Sequence, residues 1–189
     1  MVPSAAQNVS IRTGRDLLDL AMDILAQSYG RALEYARTVV EDGIGDVAVV
    51  FIDGEPVGAE IFYSIKLAAE LCVHYYVGIL EAYRGRGLGK LLVKTVESTC
   101  GADAYAATTT EDNTAAKALF SSLGYKGYKW GELKRRTRDV LLKATCGYDD
   151  DMIYLKGLPP DALAASPGEA EGFGRRECYL VWLRLRRVF

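Results

Sequence analysis

The stretch Tyr83-Arg84-Gly85-Arg86-Gly87-Leu88-Gly89-Lys90 alternates glycine with basic or bulky residues. Glycines at this spacing let a chain turn sharply while aiming several backbone N–H groups at one point, and a helix that starts there adds about half a positive charge at its end. The result is an anion nest suited to a phosphate or pyrophosphate, with Arg84, Arg86 and Lys90 strengthening the field. Two common nucleotide loops are excluded by spacing. A Walker A loop needs a hydroxyl residue after its lysine, and Leu91 follows Lys90; a dinucleotide fingerprint needs GxGxxG, whereas these glycines run GxGxG without an early βαβ unit. A different nucleotide-binding module and a purely structural glycine turn are the readings the loop alone leaves open.

A second element follows at Asn113-x-x-Ala116-x-x-Leu119-Phe120-x-x-Leu123-Gly124-Tyr125. Together the two elements closely resemble the GNAT superfamily of acyl-CoA-dependent N-acetyltransferases, strongly from Ile79 to Tyr125, fairly from Val47 onward and weakly beyond about Trp130. The resemblance implies an α/β fold: a mixed, mostly antiparallel, twisted sheet of about seven strands, helices on both faces and a splayed parallel central strand pair. It implies acetyl-CoA as cofactor, with coenzyme A as product. Backbone amides from Arg84 through Gly85, Arg86, Gly87, Leu88 and Gly89 to Lys90 would hold the pyrophosphate. Ile79, Leu80 and Glu81 would end the splaying strand beside the pantetheine arm, and Asn113, Ala116 and Phe120 would contact the cofactor. The Ile79 amide would face the thioester carbonyl as oxyanion donor. The implied reaction is acetyl transfer to a primary amine of a small molecule or protein; the alternative is a non-catalytic acyl-CoA-binding sensor.

Such a transfer needs a neutral amine and a way to protonate the departing thiolate. Many family members carry a tyrosine acid where this chain has Phe120, and others a carboxylate, histidine or tyrosine at the positions of Thr108 or Val73, so the usual acid and base are missing. The titratable residues nearby are His74, Tyr75, Tyr76, Glu70, Glu81 and Tyr125. Strand alternation puts Val73, Tyr75 and Val77 on one face and His74 and Tyr76 on the other. Tyr75 thus shares the face of the usual base and is the first catalytic candidate. His74, the only histidine, is the second, against the reading of a lone core histidine. Tyr63, Tyr75, Tyr76 and Tyr83 are candidates to line an acceptor pocket, or ordinary half-buried strand tyrosines. Lys134, Arg135, Arg136 and Arg138 read as a solvated helix face with a smaller claim on a phosphate.

The elements that must position these residues follow from periodicity. Val9–Arg12 reads as a strand, Thr13 as an N-cap, and Leu17, Ala21, Ile24, Leu25 and Ser28 as a helix face; Ala32–Val40 is a second helix. Val47–Ile52 and Val57–Ile65 flank Asp53-Gly54, a hairpin signal. Leu71–Leu80 is a strand feeding the glycine turn, after which Leu88, Leu91, Leu92, Thr95 and Val96 mark a helix. Ala104–Thr109 is a strand and Asn113–Leu123 a helix closed by Gly124. Tyr125–Trp130 reads as a strand, Glu132–Thr145 as a basic helix, Met152–Lys156 as a strand, 159–174 as a flexible loop and Cys178–Arg186 as a last strand.

At 189 residues and half apolar, the chain can bury one sizeable core. It divides into an acetyltransferase-like domain over 1–158 and a C-terminal extension over 159–189, whose strand completes the sheet or exchanges with a partner, making a homodimer the expectation. A net charge of −2 gives no footprint for nucleic acid or an anionic membrane. Neither a leader in Met1–Asn8 nor a membrane span is visible, so a soluble, cytoplasmic protein is expected. No CxxC pair accompanies the single histidine, which argues against a metal, and the four cysteines are by default free thiols. Asparagine and glutamine are confined to Asn8, Asn113, Gln7 and Gln27, a hint of a hot environment, in which a Cys146–Cys178 disulfide becomes admissible inside a cell.

Overall fold

A computed structural model of the chain describes residues 7–30 and 33–187. Seven strands form one sheet in the order β1-β2-β3-β4-β5-β7-β6. They are β1 Val9–Thr13, β2 Gly45–Ile52, β3 Glu55–Lys66, β4 Glu70–Ile79, β5 Ala104–Thr109, β6 Lys126–Lys129 and β7 Met152–Lys156. Every neighbouring pair is antiparallel except β4–β5. The expected fold class is what the chain adopts. The β2–β3 hairpin closes through Asp53 and Gly54, both at positive φ, 51° and 87°, as a tight twisted hairpin requires.

Helices cover both faces. On one lie α1 (Leu18–Leu25), α2 (Leu33–Glu41), α5 (Arg135–Thr145) and α7 (Ala170–Phe173), whose Leu25, Val39, Leu141 and Phe173 bury against Val47, Ile61, Val73 and Ile153. On the other, α3 (Leu88–Cys100) sets Leu88, Leu92 and Val96 on Val50, Phe62 and Cys72, and α4 (Thr114–Ser122) sets Phe120 on Ala107 and Tyr154. Among the described residues no helix is long and apolar enough to cross a membrane.

Several expectations are corrected. Thr13 is not an N-cap: it stays in β1, paired with Ala48, and the chain turns at Gly14 through a short 3₁₀ segment, Arg15–Leu17, into α1. The expected start of the second helix at Ala32 lies outside the described residues. The 159–174 segment is no flexible loop; it carries α6 (Pro160–Leu163) and α7, with Leu163, Ala164, Ala170 and Phe173 buried. Cys178–Arg186 is no strand either. A π-helical turn, Gly174–Tyr179, runs into α8 (Leu180–Arg186). The alternation of Tyr179, Val181, Leu183 and Leu185 suggests period two, but the residues actually buried are Phe173, Gly174, Glu177, Cys178 and Val181, which is helical spacing. The segment therefore neither completes the sheet nor offers a strand for exchange. The cysteines are not free thiols: Cys72 is bonded to Cys100 and Cys146 to Cys178.

Candidate active site

The site begins where one strand pair stops pairing. β4 and β5 are in register only over Leu71–Val73 against Ala104–Ala106. Beyond that β4 runs on to Ile79 along β3, and β5 runs on to Thr109 along β7, so a gap opens between them. A β-bulge sharpens it. Ile61 of β3 is opposite Tyr76 and Phe62 is opposite His74, leaving Tyr75 as the extra residue. The bulge flips the alternation beyond it and corrects the face assignment: Val77 joins His74 on the α3 side, while Tyr76 joins Tyr75 on the α1 side.

Backbone groups face the gap. Leu80 N–H donates to Val57 O at 2.9 Å. Because successive residues of an antiparallel strand address opposite edges, the amide of Ile79 points away from β3, toward β5. Its carbonyl does so visibly, accepting from Arg84 Nε at 2.9 Å. The carbonyl of Val77 likewise accepts from Tyr29 Oη at 3.0 Å.

Two cavities meet in the gap. The first, about 430 Å³, runs from the glycine turn to the β4 bulge. Arg84, Gly85, Gly87, Leu88 and Gly89 form one end, Ile79, Gly78 and Val77 one wall, and Asn113, Ala116, Leu119 and Phe120 of the α4 region the other. Gly85 and Gly87 sit at φ 74° and 78°, where a side chain would be strained, and open space lies where a Cβ on either would point. The amides of Leu88, Gly89 and Lys90 belong to the first turn of α3 and have no acceptor within the helix. Arg84 is braced by Ile79 O and by Ser28 Oγ at 3.3 Å.

Of the other residues the sequence assigned to the cofactor, Leu80, Glu81, Arg86 and Lys90 are not on this wall. Leu80 is tied to β3, Arg86 bonds back to Ala82 O at 3.2 Å and lies over the Tyr83 ring, and Glu81 and Lys90 face outward. Asn113 is there, but its side-chain oxygen caps α4 by accepting from Ala116 N at 3.1 Å.

The second cavity, about 630 Å³, opens on the α1/α5 side and shares Tyr29, Tyr75, Thr108, Thr109 and Asn113 with the first. Much of its remaining wall is aromatic and acidic, from Tyr35, Tyr76, Tyr148, Tyr179 and Trp182 with Asp149 and Asp150, and the rest is made by small residues and the Cys146–Cys178 disulfide. Thr108 Oγ1 donates to Asp150 Oδ2 at 2.5 Å, and Trp130 Nε1 donates to the Asp150 carbonyl at 3.0 Å. Burial pushes the Asp150 carboxyl above its ordinary range; the Thr108 bond opposes this, and the charges of Asp149 and Asp151 add to it. Sequence reasoning missed this carboxylate. Antiparallel pairing of Thr109 with Met152 carries the acidic run before β7 to the open end of β5, and the run Asp149-Asp150-Asp151 was the available signal.

The two catalytic candidates differ. The Tyr75 hydroxyl is buried between the cavities with no hydrogen-bond partner, and burial, then the neighbouring Tyr76 and Tyr63, push its pKa well above that of a free tyrosine. His74 lies on the first cavity's wall with both nitrogens engaged: Nδ1 meets the Glu60 carboxylate and Nε2 the Tyr125 hydroxyl at 2.8 Å. Tyr125 donates to Glu97 at 2.6 Å, and Lys156 closes the row on Glu97 at 2.9 Å. Because Tyr125 Oη donates onward, His74 Nε2 must carry the proton toward it, and a single proton is left for the His74–Glu60 contact. Burial raises the Glu60 pKa and the His74 charge opposes it.

Tyr63 is core, donating to Ala144 O at 2.7 Å. The basic run is a clamp on the C-terminal segment: Lys134 pairs with Asp161 at 2.6 Å and Arg136 donates to Ala165 O at 3.2 Å.

Residues 14–125 match the model of the acetyltransferase (GNAT) family. Among solved structures, a GNAT-family acetyltransferase from Staphylococcus aureus Mu50 superposes with a TM-score of 0.61 at 15% identity, covering 80% of this chain and 100% of that one. The GNAT-family N-acetyltransferase YhbS from Escherichia coli, in complex with CoA, gives 0.58 at 18%, covering 91% and 96%. A GNAT-family acetyltransferase from Elizabethkingia anophelis with acetyl-CoA bound gives 0.57 at 15%, covering 80% and 99%. At these identities the likeness is one of fold. No curated protein sequence matches.

Proposed function

We propose that this chain, which belongs to the GNAT family of acetyltransferases, moves the acetyl group of acetyl-CoA onto a primary amine, the cofactor lying in the first cavity and the acceptor in the second. The observation that carries this reading is the shared wall: the two cavities meet around Tyr29, Tyr75, Thr108, Thr109 and Asn113, the place a thioester and a nucleophile must share. The residues fit the cofactor. Unpaired first-turn amides and Arg84 suit a pyrophosphate, and the gap-facing edge of β4 suits the amide-bearing pantetheine arm, which pairs as an added strand does. CoA in the YhbS structure and acetyl-CoA in the Elizabethkingia one agree with this.

When bound, acetyl-CoA supplies an activated acyl carbon and a thiolate leaving group. The protein's own residues do the rest. The Ile79 amide offers a donor where carbonyl charge grows. Asp150, oriented by Thr108 and made more basic by burial, accepts the proton of the incoming ammonium. The unpartnered Tyr75 hydroxyl is the donor at hand for the departing sulfur, and the second proton that the nitrogen sheds on becoming an amide restores it. His74, with both nitrogens committed, holds the bulged strand in place and touches no reacting atom.

Calorimetric titration with acetyl-CoA, CoA and ATP, comparing the native chain with a Gly87→Ala/Gly89→Ala variant, tests the cofactor reading. Acetyl-CoA binding that the variant loses supports it; preference for ATP, or no binding by folded protein, refutes it. Release of CoA that depends on added amine separates an enzyme from an acyl-CoA sensor.

A further inference from the structure

We infer that the acceptor is a small cationic amine with an aromatic or apolar body and no carboxylate of its own. This rests on reading the second cavity as the acceptor site, and it names what that cavity selects.

The lining carries carboxylates, tyrosines and a tryptophan, and among the described residues on its wall there is no lysine, arginine or histidine. Asp149 and Asp150 are adjacent, and among the described residues neither forms an ion pair: the Asp150 carboxylate accepts from Thr108 and its backbone carbonyl from Trp130. Their field reaches the surrounding rings, since Asp149 raises the Tyr35 pKa and both raise that of Tyr76, in each case after burial. Tyrosine and tryptophan faces attract an ammonium through the ring quadrupole and a hydrocarbon or aryl group by contact. A cavity of about 630 Å³ is the size of a small-molecule site.

Its mouth continues the pattern. Tyr148, Tyr179 and Trp182 are 55, 55 and 40% exposed, and Tyr179 stacks on Trp182 with centroids 6.0 Å apart. Lys143, whose charge reaches Tyr148, is paired with Asp139 and Glu171, and Arg186 lies over the Trp182 ring at 4.4 Å, which shows that the ring takes a cation on its face. A free α-amino acid brings a carboxylate into the same field and is repelled. The site therefore distinguishes an arylalkylamine from the amino acid with the same side chain.

The test is calorimetric titration of the full chain with tyramine and with tyrosine, with and without CoA, so that binding is read without turnover. Expected is tyramine binding at least tenfold tighter than tyrosine, weakened at least tenfold in Asp149→Asn/Asp150→Asn. Trp182→Ala, at an exposed position where folding is not at stake, should weaken tyramine several-fold. Acetyl-CoA affinity stays unchanged in both variants. Equal binding of the two ligands, no binding of tyramine, or indifference to the substitutions overturns the inference. Failure of the acetyltransferase reading would register separately, as loss of acetyl-CoA binding by the native protein.

Discussion

Glu177 should make the protein's stability fall as pH rises through the slightly acidic range. It lies in the π-helical turn, 1% exposed, with the Asp42 carboxylate beside it. Burial raises its pKa from 4.5 to about 7, with nearby Asp42 adding to the shift and Arg176 and Arg184 opposing it. The unfolded chain releases this proton near pH 4.5 and the native chain near pH 7, so between those values the native state holds the extra proton. Stability contributed by the neutral carboxyl is therefore full below pH 4.5, declines through the window, and is gone above pH 7. At about 1.4 kcal/mol per unit the whole loss is about 3 kcal/mol, or roughly 6 to 12 °C in Tm for a chain of this size. Glu177→Gln cannot ionise. Relative to the native protein it should be near neutral around pH 4 and stabilised by up to ~3 kcal/mol around pH 8, read by thermal unfolding at both values. A difference between the two proteins that does not change with pH refutes the reasoning.

Gly89→Ala should separate folding from binding. Gly89 is at negative φ and an added Cβ comes no nearer than 3.7 Å to Leu119, so stability should change by less than about 0.5 kcal/mol; acetyl-CoA affinity, read by calorimetry, should drop at least ~10-fold as the methyl enters the phosphate end. Tyr75→Phe removes a buried hydroxyl that has no partner, so thermal stability should hold or rise by about 1 kcal/mol, while CoA release slows ~10-fold or more without change in acetyl-CoA binding; full turnover would remove Tyr75 from the mechanism. Reduction should be costly. The disulfides Cys72–Cys100 and Cys146–Cys178 close loops with separations of 28 and 32 residues, each contributing about 3 to 4 kcal/mol by restricting the unfolded chain, and a denaturant midpoint unmoved by reductant would show that they contribute nothing.

Cofactor-side features were legible because they are local. The glycine turn and the helix stop at Gly124 each depend on a few consecutive residues, and the strands β5 and β7 have the bounds their patterns predict. Features that failed are set by distant partners. The bulge at Tyr75 follows from two strands meeting out of step at Ile61 and Phe62. The C-terminal helix was hidden because Tyr179 and Trp182 line the second cavity and Leu180 is exposed as well, so apolar residues stand where a solvated helix face would be polar and the period is masked.

The absent acid and base are a problem of sequence position more than of chemistry. Thr108 occupies a place where a titrating side chain is usual in the family, and by itself it can neither take nor give a proton near neutral pH. Its hydroxyl, however, donates to Asp150, which enters from the far side of β5 because β7 runs antiparallel and the chain before it must pass that strand's open end. The threonine thus turns a carboxylate from another strand's approach toward the junction of the two cavities. A Thr108→Val variant puts the point to the test. It keeps the shape, leaves Asp150 in place and removes only the bond that lowers the carboxyl's pKa. If Asp150 is the base, the acid limb of the pH–rate profile should move to higher pH, because the carboxyl then ionises later; if it is not, the limb stays where it was.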